Sequence, residues 1–188
     1  MALLAGAAVV LAVSTARGRG RRLDDRLFAV ANSRLRHPVL DGFFRGVTEL
    51  GSIWASGAAA ATLAAAGRRR TAANAMGAAA TMWTLGQVLK RVFGRVRPYD
   101  AGLPDARRLI GKPKGASWPS SHPAVLLTFV TVAGRDLGLS PSAHRALAAL
   151  AMVVSTSRVY LGVHYPSDVV GGLLLGRAVA DVWTKALH

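Results

Sequence analysis

Residues 157–168 read SRVYLGVHYPSD and place Arg158, His164 and Asp168 in one short window of an otherwise apolar stretch. Burying such groups is costly unless they pair or work. Two further polar clusters stand where apolar runs end: KRVFGRVRP, from Lys90 to Pro98, and WPSSHP, from Trp118 to Pro123. Lys90, Arg97 and Arg158 could surround a dianionic group, the arginines offering paired donors matched to phosphate oxygens. Lys90 and Arg97 share a face if their helix continues. Pro119 suits the opening of a helix, which sets the amides of Ser120, Ser121 and His122 near its positive end. His122 and His164 could divide nucleophile and acid roles. Pro166 suits a second helix start, with Asp168 in the first turn and His164 just outside it. Asp168 could then hold one ring nitrogen of His164 and fix its tautomer. A cationic clamp, a nucleophile and a proton donor are the parts of a phosphoryl-transfer site. No carboxylate pair and no His/Cys cluster suggests a metal, so neither metal nor cofactor is expected.

Taken singly, each feature has a plainer reading. Lys90 and Arg97 could be flanking charges of a membrane segment, and Ser120 and Ser121 helix caps. A lone histidine could touch headgroups, and Arg158 and Asp168 could form a structural ion pair. These readings weaken together, because all the features must then meet on one side by chance.

The elements that position these residues follow from hydropathy. The chain has 188 residues, which suits one domain, 1–188, and 52% of them are hydrophobic against 18% charged. Mean hydropathy is +0.32, too apolar for an ordinary soluble domain of this size. Net charge is +15, from 24 Lys and Arg against 9 Asp and Glu. The basic residues sit between apolar runs rather than on one soluble face, which argues against nucleic acid and for anionic headgroups and an anionic substrate. There is no cysteine, which excludes disulfides and thiolate chemistry.

Uncharged or nearly uncharged runs occur at 2–16, 50–67, 71–89, 118–134, 146–157 (extended through Val159–Val163) and 169–184. Arg177 and Asp181 interrupt the last run, four apart on one helix face where they could pair. Residues 2–16 could be a signal h-region. The basic cluster from Arg17 to Arg22 follows that run rather than preceding it, which favours a retained span. The reading is an all-α, polytopic membrane bundle of about six transmembrane helices, with Ala and Gly suited to close helix approach. Residues 23–36 read as an amphipathic helix on the membrane surface, with Leu23, Leu27, Val30 and Ala31 at helical spacing. Asp24 and Asp25 start it, Arg34 and Arg36 end it in line with the helix dipole, and Pro38 is a stop. The polar link 94–117 is the longest and reads as functional. With alternating spans, the three polar clusters reach the same side of the membrane.

The three clusters together resemble the type 2 phosphatidic acid phosphatase family, whose members share a site with vanadium haloperoxidases and some bacterial acid phosphatases. The family pattern is matched by Lys90 with Arg97-Pro98, by Pro119-Ser120-Ser121-His122, and by Ser157-Arg158 with His164 and Asp168. The resemblance implies that His164 is a nucleophile forming a phosphohistidine, that Asp168 orients it, and that His122 protonates the leaving oxygen. Lys90, Arg97, Ser120 and Arg158 would bind the phosphate. Ser121 stands where the family usually has glycine. It can still offer a backbone amide there, and only a positive φ would be uncomfortable.

A site at the membrane edge implies a lipid phosphate or diphosphate whose tail stays in the bilayer. Phosphatidic acid, phosphatidylglycerophosphate, polyprenyl diphosphates and polyprenyl phosphosugars all fit, with prenyl-linked substrates ranked ahead. The expected partners are therefore that lipid and the bilayer, with no nucleic acid and with a homo-oligomer left open. The basic link Arg68–Arg70 lies opposite the three clusters and by the positive-inside tendency is cytoplasmic, which puts the site on the extracytoplasmic face. The cluster Arg17–Arg22 argues the other way, and the family resemblance supports the extracytoplasmic face. Two rivals stay open: a haloperoxidase-like enzyme using vanadate, and a non-catalytic lipid-phosphate-binding membrane protein.

Overall fold

The structure is a computed structural model describing residues 2–16 and 18–187, so the expectation for Arg17 lies outside the described residues. In chain order its helices are α1 (Ala2–Ser14), α2 (Gly18–Ala29), α3 (Pro38–Thr48), α4 (Ile53–Ala65), α5 (Arg69–Phe93), α6 (Ser121–Asp136), α7 (Pro141–Tyr160) and α8 (Pro166–Leu187). A π turn, Val30–Arg34, follows α2, and short 3-10 turns span Glu49–Gly51 and Pro98–Asp100. No strand occurs among the described residues, so the all-α expectation holds.

Six of these helices fall on the six apolar runs, and local chemistry sets their ends. Ser52 Oγ accepts from the Ala55 amide at 3.0 Å and caps α4. Pro141 opens α7 and Pro166 opens α8. Gly94 closes α5 in the left-handed region, φ 56°, with its amide on the Lys90 carbonyl at 3.1 Å.

Three local expectations are corrected. The surface helix starts at Gly18, not at residue 23, so Asp24 lies in mid-helix and is only 4% exposed. Its charge answers a buried arginine rather than the helix dipole. Of the expected apolar stripe, Leu23, Leu27 and Val30 face outward, whereas Ala31 packs inward against Phe28, Val159, Tyr165 and Val169. Pro38 does not simply stop a helix. It occupies the first position of α3, with His37 Nδ1 accepting from the Val39 amide at 3.3 Å. Last, α5 ends before Arg97, which is extended at φ −78°, ψ 155°. Lys90 and Arg97 therefore meet through a loop and not along a helix face.

At the centre lies α6, buried on nearly all sides by α4, α5, α7 and α8. One apolar cluster joins Ala72, Ala75 and Ala79 of α5 to Val125 and Phe129 of α6 and Ala180 of α8. A second seats Ala8 and Ala12 of α1 against Leu175 of α8 and Trp118. Alanine at these contacts lets the helix axes approach closely. Arg177 Nε and Asp181 Oδ1 pair at 3.0 Å as their spacing predicts, and Arg135 joins them at 2.7 Å.

Many large apolar side chains point outward, among them Leu3 and Val10 of α1, Trp54 of α4, Val88 and Val92 of α5, Met152 of α7 and Val170 of α8. Among the described residues no single helix is both long and apolar enough to cross a membrane, although α1 and residues 18–34 pass together as a bent pair. The reason lies in the make-up of the helices. α4 is apolar but has only 13 residues, whereas the uncharged middle of α5, residues 71–89, is diluted by Asn74, Gln87, three threonines and two glycines.

Candidate active site

The link between α5 and α6, the start of α6, and the α7–α8 corner come together at one end of the bundle. Asn32 anchors this end. Its Nδ2 donates to the Arg107 and Tyr160 carbonyls at 3.0 and 2.7 Å, and its Oδ1 accepts from the Arg107 amide at 2.8 Å. At the α7–α8 corner Gly162 takes φ 82°, and a side chain there would strike the Arg107 carbonyl. This turn brings Arg158 and His164 to one place.

That place is a cavity of about 310 Å³ lined by Lys90, Arg97, Ser121, His122, Arg158 and His164, six of the eight expected residues. Lys90 Nζ donates to the Ala116 and Pro119 carbonyls at 3.0 and 2.7 Å. Arg97 donates to the carbonyls of Gly115 and Val163 at 3.0 and 2.8 Å, and its Nη1 lies 3.3 Å from His164 Nε2. Arg158 Nη1 donates to Thr48 Oγ1 at 2.8 Å and leaves its Nε without a partner. Three cations are thus held by neutral acceptors, which fix their positions without cancelling their charge. Among the described residues no carboxylate lines the cavity.

Two expected residues stand behind the wall. Ser120 is fully buried. Its amide donates to the Asp168 carbonyl at 3.0 Å, and its hydroxyl has no partner. It holds the cap position of α6, two residues later than Pro119 at the first helical position predicts. Asp168 lies in the first turn of α8 as expected, with Oδ2 3.4 Å from His164 Nδ1. This is an ion-pair separation rather than a hydrogen bond. The same oxygen accepts from Ser117 Oγ at 2.5 Å and from the Tyr165 amide at 2.8 Å. Asp168 does not pair with Arg158. Its cation is Arg95, at 2.6 Å. Ser121 begins α6 with no positive φ, so serine is unstrained where glycine is usual. Its hydroxyl is buried and unpartnered at the cavity.

The imidazole of His164 is 2% exposed. Burial, then the charges of Lys90, Arg97 and Arg158, push its pKa well below the usual histidine range. It is therefore neutral near pH 7, with a lone pair available on one nitrogen. If Nδ1 carries the proton toward Asp168, Nε2 is the acceptor that faces Arg97. Burial works against the charge on Arg95, but Asp168 and Asp24 outweigh it and raise its pKa.

A model of the PAP2 superfamily matches residues 70–188. The chain belongs to the PAP2 superfamily. All eight expected site residues lie inside that match. Among similar proteins is an undecaprenyl-diphosphatase of Sulfolobus acidocaldarius, 40% identical over 93 residues, which cover 49% of this chain and 43% of the relative. Another is a decaprenylphosphoryl-5-phosphoribose phosphatase of Mycolicibacterium smegmatis, 35% identical over 119 residues, covering 63% of this chain and 62% of the relative. The aligned stretch thus spans less than two thirds of either relative. The crystal structure of a transmembrane PAP2 type phosphatidylglycerolphosphate phosphatase from Bacillus subtilis has the same fold, with TM-score 0.79 at 24% identity over 98% of this chain and 94% of that one.

Several residues around the PAP2 site were not singled out in the sequence. Thr48 holds Arg158, and Gly51 lies so close to His122 that an added Cβ would sit 2.8 Å from the His122 Cβ. Lys114, Gln87, Trp83 and Trp54 line the cavity. Asp24 and Arg95 stand behind Asp168. Four of these, Asp24, Thr48, Gly51 and Trp54, precede the PAP2 match. The partners of Asp24 and Thr48 and the close neighbour of Gly51 lie far along the chain, which no local spacing reveals.

Proposed function

We propose that this chain is a multi-pass membrane phosphatase, one domain of about six spanning helices, that hydrolyses a lipid phosphate monoester or diphosphate through a phosphohistidine on His164. The observation that carries the reading is the single cavity where His164, His122 and three basic side chains held by neutral acceptors meet from three separate chain segments. Outward-facing apolar side chains on α1, α4, α5, α7 and α8 fit a lipid surround. Two similar proteins are named for prenyl-linked phosphates, which favours a prenyl-linked substrate. The basic end Arg68–Arg70 lies at the far end of α5 from Lys90 and supports an extracytoplasmic site.

The chemistry follows from the arrangement. An incoming phosphate offers oxygens to Lys90, Arg97 and Arg158 and competes for the Arg97 donor now facing Nε2. The freed Nε2 lone pair attacks phosphorus. The bond to the leaving oxygen breaks, and His122, which takes up a proton when the phosphate dianion enters the cavity and offsets the cations, gives that oxygen the proton. Asp168 balances the positive charge that grows on the ring. His122 then takes a proton from water as the water attacks the phosphohistidine. Inorganic phosphate leaves, and His164 returns to its starting form. Ser120, Ser121 and the first amides of α6 add donors for the phosphate oxygens.

The test is phosphate release from a panel of lipid phosphates by detergent-solubilised protein in the presence of EDTA, with trapping of the phosphoenzyme. His164→Ala should lower kcat at least about 10³-fold while the circular dichroism spectrum stays helical. Full turnover in that variant overturns the nucleophile assignment. Lipid phosphate binding with no release by the wild type supports a carrier instead.

A further inference from the structure

A dense polar network lies behind the cavity rather than in it. Arg95 Nη1 donates to Asp168 Oδ1 and to Ser167 Oγ, each at 2.6 Å, and Nη2 donates to Asp24 Oδ2 at 2.6 Å. Asp24 also accepts from the Ser167 amide at 2.9 Å and from the Ser167 hydroxyl at 2.5 Å. The side chains of Asp24, Arg95 and Asp168 are 4%, 13% and 0% exposed. Charge-assisted bonds so far from water are strong only when every member is satisfied.

We propose that Asp24 and Arg95 form a strut that fixes the carboxylate of Asp168, so that helix α2 positions the nucleophile from outside the PAP2-matched region. The proposal rests on the reading of His164 as the attacking group. Its mechanical content is direct. Arg95 on Oδ1, with Ser117 and the Tyr165 amide on Oδ2, leaves the Asp168 carboxylate one rotation. The Arg95 guanidinium is itself pinned, lying 4.3 Å over the Tyr165 ring. Asp24 gives α8 its N-terminal acceptor from another helix and holds the far side of Arg95. Remove Arg95, and two buried carboxylates face each other with no cation between them. Remove the charge of Asp24, and Arg95 has Asp168 as its sole charged partner. Asp24 and Arg95 are positioning residues, since neither lines the cavity.

The test compares Arg95→Gln, Arg95→Lys and Asp24→Asn in the full chain, in detergent, with kcat and KM read separately against pH. The acid limb of kcat belongs to His164, which faces Lys90 on α5, Arg97 in the link, His122 on α6, Arg158 on α7 and Asp168 on α8. Arg95→Gln should lower kcat about 10- to 100-fold with KM within about threefold, as for other residues that orient a reacting group. It should also move the acid limb to higher pH, because Asp168 then acts on the ring undiluted. Arg95→Lys keeps the charge, so the limb should stay in place while kcat still falls. Asp24→Asn should lower kcat, and adding it to Arg95→Gln should cost little more, as two parts of one strut require. Unchanged kcat in a folded Arg95→Gln protein, or additive losses in the double variant, overturn the strut. A folded wild type that releases no phosphate overturns the phosphatase reading itself, and with it the role given to Asp168. Should Arg95→Gln fail to fold, Arg95→Lys and Asp24→Asn decide the matter alone, and full kcat in both overturns the strut.

Discussion

The nucleophile role proposed for His164 requires a neutral ring, and the surroundings set the pH at which that holds. Burial and three nearby cations lower its pKa, so the unprotonated ring persists into acid. The sign is therefore fixed: the rate of phosphoenzyme formation, read by rapid quench at saturating substrate, should stay flat as pH falls through about 6.5 and decline only below. A limb at or above the ordinary histidine value contradicts the assignment. Lys114 invites a different experiment. It is exposed, lines the cavity with Lys90 and Arg97, and has no ion pair among those of the described residues. A cation at the rim acts on the part of the substrate outside the clamp. Lys114→Ala should raise KM for a prenyl diphosphate about tenfold at low salt while leaving KM for the monophosphate within about twofold, and the difference should shrink at high salt. Equal effects on both lipids would remove Lys114 from headgroup recognition.

At the scale of elements, the corner between α3 and α4 does what a pattern of polar clusters cannot announce. Thr48 and the turn Glu49–Gly51 press against α6 and α7, giving Arg158 its acceptor and His122 its wall. An added methyl group at residue 51 would meet the His122 Cβ and Val154 Cγ1 at 2.8 Å and the His122 carbonyl at 3.0 Å. Gly51→Ala should therefore cost about 1–3 kcal/mol of stability, seen as a lower Tm in detergent, and should lower kcat by displacing His122. An unchanged Tm would mean that the corner yields freely. The contrast with the three legible clusters is physical. Lys90, Ser120, His122, Arg158, His164 and Asp168 stood out because polar groups in apolar runs need a reason nearby. Asp24 did not, because beside Asp25 at a helix start it had a sufficient local reason in the dipole. Its actual partner, Ser167, is 143 residues away. Pro38 and Gly94 show the same limit: each marks a break correctly, but the path of the chain beyond the break depends on packing.

Across the whole molecule, charge and helix direction have to agree on which end faces which compartment. The candidate site gathers the C-terminal ends of α5 and α7 and the N-terminal ends of α4, α6 and α8, while Arg68–Arg70 sit at the opposite end of α4 and α5. The basic stretch 18–22 starts α2 at the site end, so a count of charges alone leaves orientation divided. The chain has no cysteine, and this permits a clean measurement. Lys112 lies exposed in the link beside the site, and Arg69 lies exposed at the far end. Each can be replaced singly, Lys112→Cys and Arg69→Cys, without touching the cavity lining. In intact cells a membrane-impermeant maleimide should label the first variant, and should label the second only after lysis. The reverse pattern would put the phosphate clamp in the cytoplasm, where a different pool of lipid phosphates would reach it. Labelling of both before lysis would mean that the two ends of the bundle do not lie on opposite sides of the membrane, against the alternating spans proposed above.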